Sequence, residues 1–247
     1  MFAEKLTLNI IHLGILKLAA GLPQVSRYLH HRPDEIEQAA FMILRSTLTS
    51  PYGRLARIVR QEKGLEGHVE FEVVTTRGED NPYYAINPSG RVPSLILDDG
   101  TCLEDSTLVC WYLDNLDGAP TLHGLTGLDG LEHHRLVASA RSMLDGVSLW
   151  TREFLYREEA IRSQTTIDHE RGRALRMLDM FENEMENPVL TGSLNMAQIT
   201  LACLFASRAN NSPDGFTWRD GRPKLSAWVE RISALPSVVD TTPPSRK

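Results

Sequence analysis

Between Asn87 and Ser106 the chain carries an ordered series of local signals that few folds can accommodate. Asn87-Pro88-Ser89-Gly90 reads as a turn, since Asn and Gly tolerate turn dihedrals and Pro presets φ. Val92 to Leu97 reads as a strand with Pro93 near its start, a position where a missing N–H costs the ladder little and where a cis bond is a candidate. Asp98-Asp99-Gly100 is a hairpin signal. Thr101-Cys102-Leu103 begins the return strand, and Glu104-Asp105-Ser106 opens a helix. That helix is expected to bury Leu108, Val109, Tyr112, Leu113 and Leu116. A β-β-α unit has a sheet edge and a helix face left to cover, so it calls for a partner layer.

The partner lies upstream. Phe41-Met42-Ile43-Leu44 is a short apolar run suited to a buried strand. Ser46 to Tyr52 is a loop of small hydroxyl residues with Pro51 at a helix start. From Gly53 to Leu65, Leu55, Ile58 and Val59 share one helical face, and Arg54, Arg57, Arg60 and Lys63 are expected to point elsewhere. Val69 to Val74 alternates apolar and polar residues as a half-buried strand does. The order is β-α-β followed by β-β-α. From Thr126 onward strand signals fade, and helical patterns fill roughly Leu128–Arg162, Thr166–Glu186, Met196–Arg208 and Pro223–Ala234. The composition changes near Gly118-Ala119-Pro120, which divides the chain into an unassigned extension (1–40), an α/β unit (41–120) and an all-helical unit (121–247).

Composition excludes several functions. The formal net charge of -6, with no long basic run, argues against nucleic acid as a partner. Cys102, Cys110 and Cys203 are odd in number and lack C-x-x-C spacing, which fits buried thiols in a reducing compartment better than disulfides or zinc. His133 and His134 are neighbours and face different ways on a helix, so no metal site is expected. The apolar run from Leu6 to Leu22 is interrupted by Asn9, His12 and Lys17 and falls short of the ~20 residues of a membrane span. It is read as a dispensable extension, with Met42 close to the start of the folded unit.

The run from Val92 to Ser106 has chemistry as well as geometry. A cis Val92-Pro93 bond would turn the Val92 N–H and C=O outward, to pair with an extended peptide as an added strand does. At the helix start, free N–H groups and the Ser106 hydroxyl suit a carboxylate, and Asp105 suits an amino group. A ligand with peptide bonds, an α-amino group and an α-carboxylate fits. A plain hairpin followed by an ordinary helix cap fits as well.

Taken together, these residues resemble the glutathione-binding half of the glutathione transferase superfamily: Asn87-Pro88, Gly90, Val92-Pro93, Asp99-Gly100 and Asp105-Ser106. Thr49-Ser50-Pro51-Tyr52, with Arg57-Ile58-Val59 and Glu62-Lys63-Gly64, is similar to the first strand–helix unit of bacterial members. Pro223 to Trp228, Pro236-Ser237 and Thr242-Pro243-Pro244 are similar to their last helices and tail. The resemblance implies a thioredoxin-like α/β domain followed by an all-α domain, a cytoplasmic homodimer, and glutathione as co-substrate for a small electrophile. It places Ser50 at the activating position, where other classes carry Cys, Ser or Tyr. It also implies that Val92 pairs with the cysteinyl backbone, that Asp105 and Ser106 hold the γ-glutamyl end, and that Arg91 approaches the glycine carboxylate. Where the family usually has Ser/Thr-x-x-Asp at the core helix of its second domain, this chain has Asn195-Met196-Ala197-Gln198, still compatible with a capping box.

Activation of the thiol alone has limited reach. A thiol of pKa ~8.5 is about 3% thiolate at pH 7, and a shift to ~6.5 raises that roughly 25-fold. Lower basicity takes back roughly six- to tenfold of it. The rest must come from positioning the electrophile, for which Trp150, Phe154 and Tyr156 are candidates. A glutathione-binding protein with no chemistry of its own is the alternative reading, since fold does not decide function. A thiol–disulfide oxidoreductase is disfavoured, because no Cys precedes the first helix.

Overall fold

The computed structural model describes residues 41–124, 127–208 and 216–244; the extension expected at 1–40 lies outside them. The α/β part comprises β1 (Met42–Ser46), α1 (Pro51–Glu62), β2 (Val69–Val73), β3 (Ser94–Ile96), β4 (Cys102–Glu104) and α2 (Ser106–Asn115). Its sheet runs β2-β1-β3-β4. β1 pairs in parallel with β2, and the other two pairings are antiparallel. This is the β-α-β/β-β-α order of the thioredoxin-like fold. The hairpin closes where expected, with the Leu97 N–H donating to the Thr101 carbonyl at 2.9 Å. Gly100 supplies the positive φ, +83°, that the turn requires.

Helices form the remainder: α3 (Leu131–Tyr156), α4 (Gln164–Glu184), α5 (Pro188–Thr191), α6 (Met196–Arg208), α7 (Pro223–Ser233) and α8 (Pro236–Asp240). α3 stops at Tyr156, short of the Arg162 expected from periodicity, and Glu159–Ile161 forms a separate 3₁₀ turn. One apolar core runs through both parts, from Leu44, Leu55 and Leu95 to Leu144, Leu178 and Phe205. α1 packs on α6 as well as on the sheet side, and this contact joins the two parts.

That double burial overturns one expectation about α1. Arg54 does not point to solvent; it is fully buried. With α6 and α8 packed over it, its guanidinium donates to the Val238 carbonyl at 2.6 Å and to the Thr241 hydroxyl at 3.1 Å. Lys63 is likewise drawn in, reaching Asp117 at 2.9 Å. On α2, Leu108 is exposed rather than buried, and Trp111 is exposed beside it. The helix is covered on one side only, by α1 and the sheet.

Of the three thiols, Cys110 and Cys203 are buried, whereas Cys102 is only half-buried on β4. Asn195 caps α6 as expected, its Oδ1 accepting from the Ala197 N–H at 3.0 Å. Gln198 does something other than complete a capping box. Its amide donates to the carbonyls of Val189 and Ser193, both at 2.9 Å, and so ties the α5–α6 loop to the core helix. An acidic side chain has no proton to donate and could not make these contacts at neutral pH.

Candidate functional site

A cleft of about 850 Å³ opens between the α/β part and α3, and Ser50, Arg91, Val92, Asp105 and Ser106 all line it. Each is placed by local structure. Ser50 is the N-cap of α1: Pro51 starts the helix, and the Ser50 Oγ accepts the Gly53 N–H at 3.1 Å. The Ser50 N–H in turn donates to the Thr47 hydroxyl at 3.1 Å, which anchors the loop. Capping uses a lone pair of the hydroxyl and leaves its proton free to donate into the cleft. Cap and functional group are therefore not exclusive readings of Ser50.

The neighbouring Tyr52 is differently committed. Its hydroxyl donates to Asp145 Oδ1 at 2.6 Å, and burial together with that acceptor pushes its pKa up to about 12. A phenol held this way has no proton to spare for the cleft. Ser50 is the available hydroxyl at the start of α1.

Val92 and Pro93 are joined by a cis bond. The strand begins at Ser94 rather than at Val92, because the Arg91 carbonyl is taken by the Tyr83 hydroxyl at 2.7 Å and by Asn87 Nδ2 at 3.0 Å. Among the described residues no hydrogen bond uses the Val92 backbone. The Arg91 side chain is exposed at the rim.

At the start of α2, Asp105 adopts φ 72° and ψ 130°, a conformation that L residues rarely occupy. It persists because the carboxylate accepts the Thr107 N–H at 2.7 Å and so caps the helix. Burial by itself would raise this carboxyl. The Thr107 backbone and hydroxyl, with the Arg141 guanidinium, outweigh burial and hold it below the usual carboxylate range.

Arg141 is the residue that sequence reasoning missed. It reaches from α3 across the junction: Nη1 donates to Ser106 Oγ at 2.9 Å and Thr107 Oγ1 at 3.1 Å, and Nη2 lies 3.5 Å from Asp105 Oδ2. Its Nε meets Asp145 Oδ1, the acceptor of Tyr52, at 3.2 Å. One guanidinium thus links the helix start at Asp105-Ser106 to the loop at Ser50-Tyr52. The available signal was Arg141, Asp145 and Ser148 at positions i, i+4 and i+7, a polar line along one face of the helix.

Of the aromatic candidates, Trp150 is buried in the core against Phe216, and Phe154 packs on the core beneath Arg162. Tyr156 alone faces the cleft, with Leu149 and Leu155 along the same wall. Among the described residues no cluster of His, Cys, Asp and Glu could hold a metal ion, and no helix is long and apolar enough to cross a membrane.

Comparisons with known proteins agree with this architecture. Residues 44–121 match the glutathione S-transferase N-terminal domain, and residues 164–231 match the corresponding C-terminal domain. Glutathione S-transferase 2 of Saccharomyces cerevisiae is 32% identical over 209 residues, 80% of this chain and 88% of that protein. The uncharacterised GST-like protein YibF of Escherichia coli is 29% identical over 206 residues, 82% of this chain and 99% of that one. Among solved structures, a glutathione transferase family member from Pseudomonas fluorescens Pf-5, crystallised with bound glutathione, superposes with a TM-score of 0.75. It is 27% identical, and the match covers 83% of this chain and all of that one. The thioredoxin-like sheet, the helical second part and these matches together establish that the chain belongs to the glutathione S-transferase superfamily.

Proposed function

We propose that this chain binds glutathione in the cleft between its two parts and transfers the thiol to a small electrophile. The observation that carries the reading is the convergence on one cleft of a free Val92 backbone, the Asp105-Ser106 helix start and a hydroxyl at Ser50 with its proton unspent. These groups fit the tripeptide. Val92 offers an N–H and a C=O to the cysteinyl segment, as an added strand would. Ser106 and the first N–H groups of α2 face the α-carboxylate, and Asp105 takes the α-amino group. Arg91 stands at the rim for the glycine carboxylate.

Bound glutathione would supply a nucleophilic sulfur. Ser50 donates its hydroxyl proton as a hydrogen bond toward that position, and the N-terminus of α1 adds a favourable dipole. Both favour the thiolate over the thiol. Because α1 presents no acidic residue in its first turn, nothing there opposes the negative charge. Tyr156, Leu149 and Leu155 form the wall against which an electrophile would lie. A two-fold dimer in the cytoplasm is the assembly that goes with this reading, and sedimentation tests it: a monomer at micromolar concentration speaks against the dimer.

Calorimetric titration with glutathione, followed by a screen over nitroaryl halides, enals and organic hydroperoxides, tests the function. Binding in the micromolar to low millimolar range with turnover of at least one class is expected. No heat at millimolar glutathione overturns the assignment, and binding without turnover in any class leaves a glutathione-binding protein.

A further inference from the structure

The outer part of the cleft is built from cations. α3 forms one wall of the cleft along its length and serves as a ruler. Arg141 meets the Asp105-Ser106 helix start, and Asp145 is level with Tyr52 and the Ser50 loop. At a rise of about 1.5 Å per residue, Arg152 lies roughly 10 Å beyond Asp145 and Tyr156 roughly 16 Å beyond it. Both line the cleft. From the facing loop Arg77 also lines it, its guanidinium stacked 3.7 Å from the centroid of the Tyr156 ring.

A stacked guanidinium keeps its in-plane N–H groups available to an acceptor. Among the described residues neither Arg77 nor Arg152 forms an ion pair, although every acidic residue lining the cleft is engaged. Asp105 and Asp145 pair with Arg141, and Glu104 accepts from the Ser89 hydroxyl. Ser148, one turn before Arg152 on the same wall, is only 5% exposed, and its hydroxyl lies toward the Tyr52 phenol. Apolar surface from Leu149, Leu155 and Tyr156 lies between these polar groups.

From this arrangement we infer that the acceptor site selects electrophiles that carry an acid group, a carboxylate or its equivalent, on an aromatic or apolar body. The body lies along Tyr156, Leu149 and Leu155. The acid group is met by Arg152 and Arg77. On a chain of net charge -6, two unpaired arginines at the far end of the cleft give anionic acceptors a locally attractive field. The inference rests on the cleft being the glutathione site, and the experiment separates the two.

Two conjugates serve as probes, S-(4-carboxybenzyl)glutathione and S-(4-carbamoylbenzyl)glutathione, with glutathione alone as reference. Both carry the same tripeptide, glycine carboxylate included, so the ratio of their dissociation constants reads the added acid group only. The carboxylate form is expected to bind about five- to tenfold more tightly, below the range for a buried charge-assisted hydrogen bond because both guanidinium groups are exposed. The ratio should fall toward one in Arg77→Gln/Arg152→Gln, and should shrink with added salt. Arg77→Lys/Arg152→Lys, which keeps the charge, should retain a preference of at least about twofold. A ratio near one in the wild type, with glutathione and both conjugates bound, overturns the inference and leaves the glutathione reading in place. A high ratio that survives in the double Gln variant overturns the assignment to these two residues. If glutathione and both conjugates fail to bind, the site reading falls and takes the inference with it.

Discussion

Arg141 and Ser106 come from opposite sides of the domain junction, and the Arg141 Nη1 donates to the Ser106 Oγ across 2.9 Å. The proposed γ-glutamyl site is therefore not a property of the α/β part alone. Its hydroxyl is oriented by a guanidinium from the first long helix of the other part. Ser106 uses a lone pair in that contact and keeps its own proton for a ligand carboxylate.

Ser106→Ala should therefore weaken glutathione binding roughly 10- to 150-fold, the range for a lost hydrogen bond to a charged group. Arg141→Gln should weaken it too, by releasing Asp105, Ser106 and Thr107 together. Because the two side chains touch, their effects should not add, with a coupling of about 0.5–1.5 kcal/mol in a double-mutant cycle. Titration calorimetry of the four proteins measures it. Additive effects would show that Arg141 does not orient Ser106.

Ser50 should reveal two roles. Ser50→Ala removes an N-cap and is expected to cost about 1 kcal/mol of stability, seen as a lower urea midpoint. The same change should lower kcat more than it weakens glutathione binding, since the hydroxyl's proposed contact is with the sulfur and not the peptide. In Ser50→Cys, a thiol at the start of α1 should have a depressed pKa and form a mixed disulfide with oxidised glutathione. Intact-mass spectrometry of the folded variant showing no adduct would count against this placement.

Gly53 holds the Ser50 loop against the sheet. A Cβ there would come within 1.6 Å of Ser46 Oγ and 2.7 Å of Ser46 Cβ, and Ser46 is fully buried at the end of β1. Turning the Ser46 hydroxyl aside would break its hydrogen bond to the Thr47 carbonyl, 3.1 Å away. Gly53→Ala should destabilise by about 2–3 kcal/mol, as overpacking in a tight core does. Adding Ser46→Gly removes the clashing atoms and should recover a good part of that loss. Thermal melts of the single and double variants decide it; a single variant as stable as wild type would mean that the helix start is loosely seated.

Acid should attack the junction through Asp114. Its buried carboxylate, at the end of α2, accepts the N–H groups of Thr121, Leu122 and His123 at 3.0–3.1 Å and the His123 ring at 2.7 Å. Burial pushes this carboxyl up, but the His123 ring and the three backbone donors outweigh burial and hold it below the ordinary value. The unfolded-state pKa is about 3.9, so this stabilisation is complete above that pH and is lost as pH falls through the lower, folded value. Asp114→Asn should destabilise the chain by roughly 2–3 kcal/mol at pH 7, with the difference from wild type narrowing below about pH 4. Urea unfolding of both proteins between pH 7 and pH 3 tests this, and a difference that does not change with pH would exclude the carboxylate as its source.

Much of the fold was legible because its signals are local. The turn at Asn87–Gly90, the hairpin at Asp98–Gly100 and the helix starts at Pro51 and Ser106 depend on dihedral preference and on side-chain bonds within three residues. The same holds for Ser50, Val92, Asp105 and Ser106, whose placement along the cleft follows from those turns. Arg54 and Leu108 were misjudged for one shared reason. A helical face was read as polar or apolar from its own residues, but what covers a face is decided by elements far away in sequence. α6 and α8 close over Arg54, and among the described residues nothing closes over Leu108.

The sequence by itself determined the order of strands and helices, the caps and turns that aim the cleft residues, and the superfamily, because each is written in short-range chemistry. Only the tertiary structure decided which residues of α3 form a wall of the site. Arg141, Asp145, Ser148 and Arg152 are unremarkable in a linear reading, and Tyr156 is one aromatic candidate among three. Arg141, Asp145 and Tyr156 meet Asp105, Ser106, Tyr52 and Arg77 only when α3 packs on α6 and α6 packs on α1. The physical reason is that a charge or ring has no assigned role until its partner's distance is known. For these pairs the partners lie tens of residues apart along the chain, where no local preference reaches.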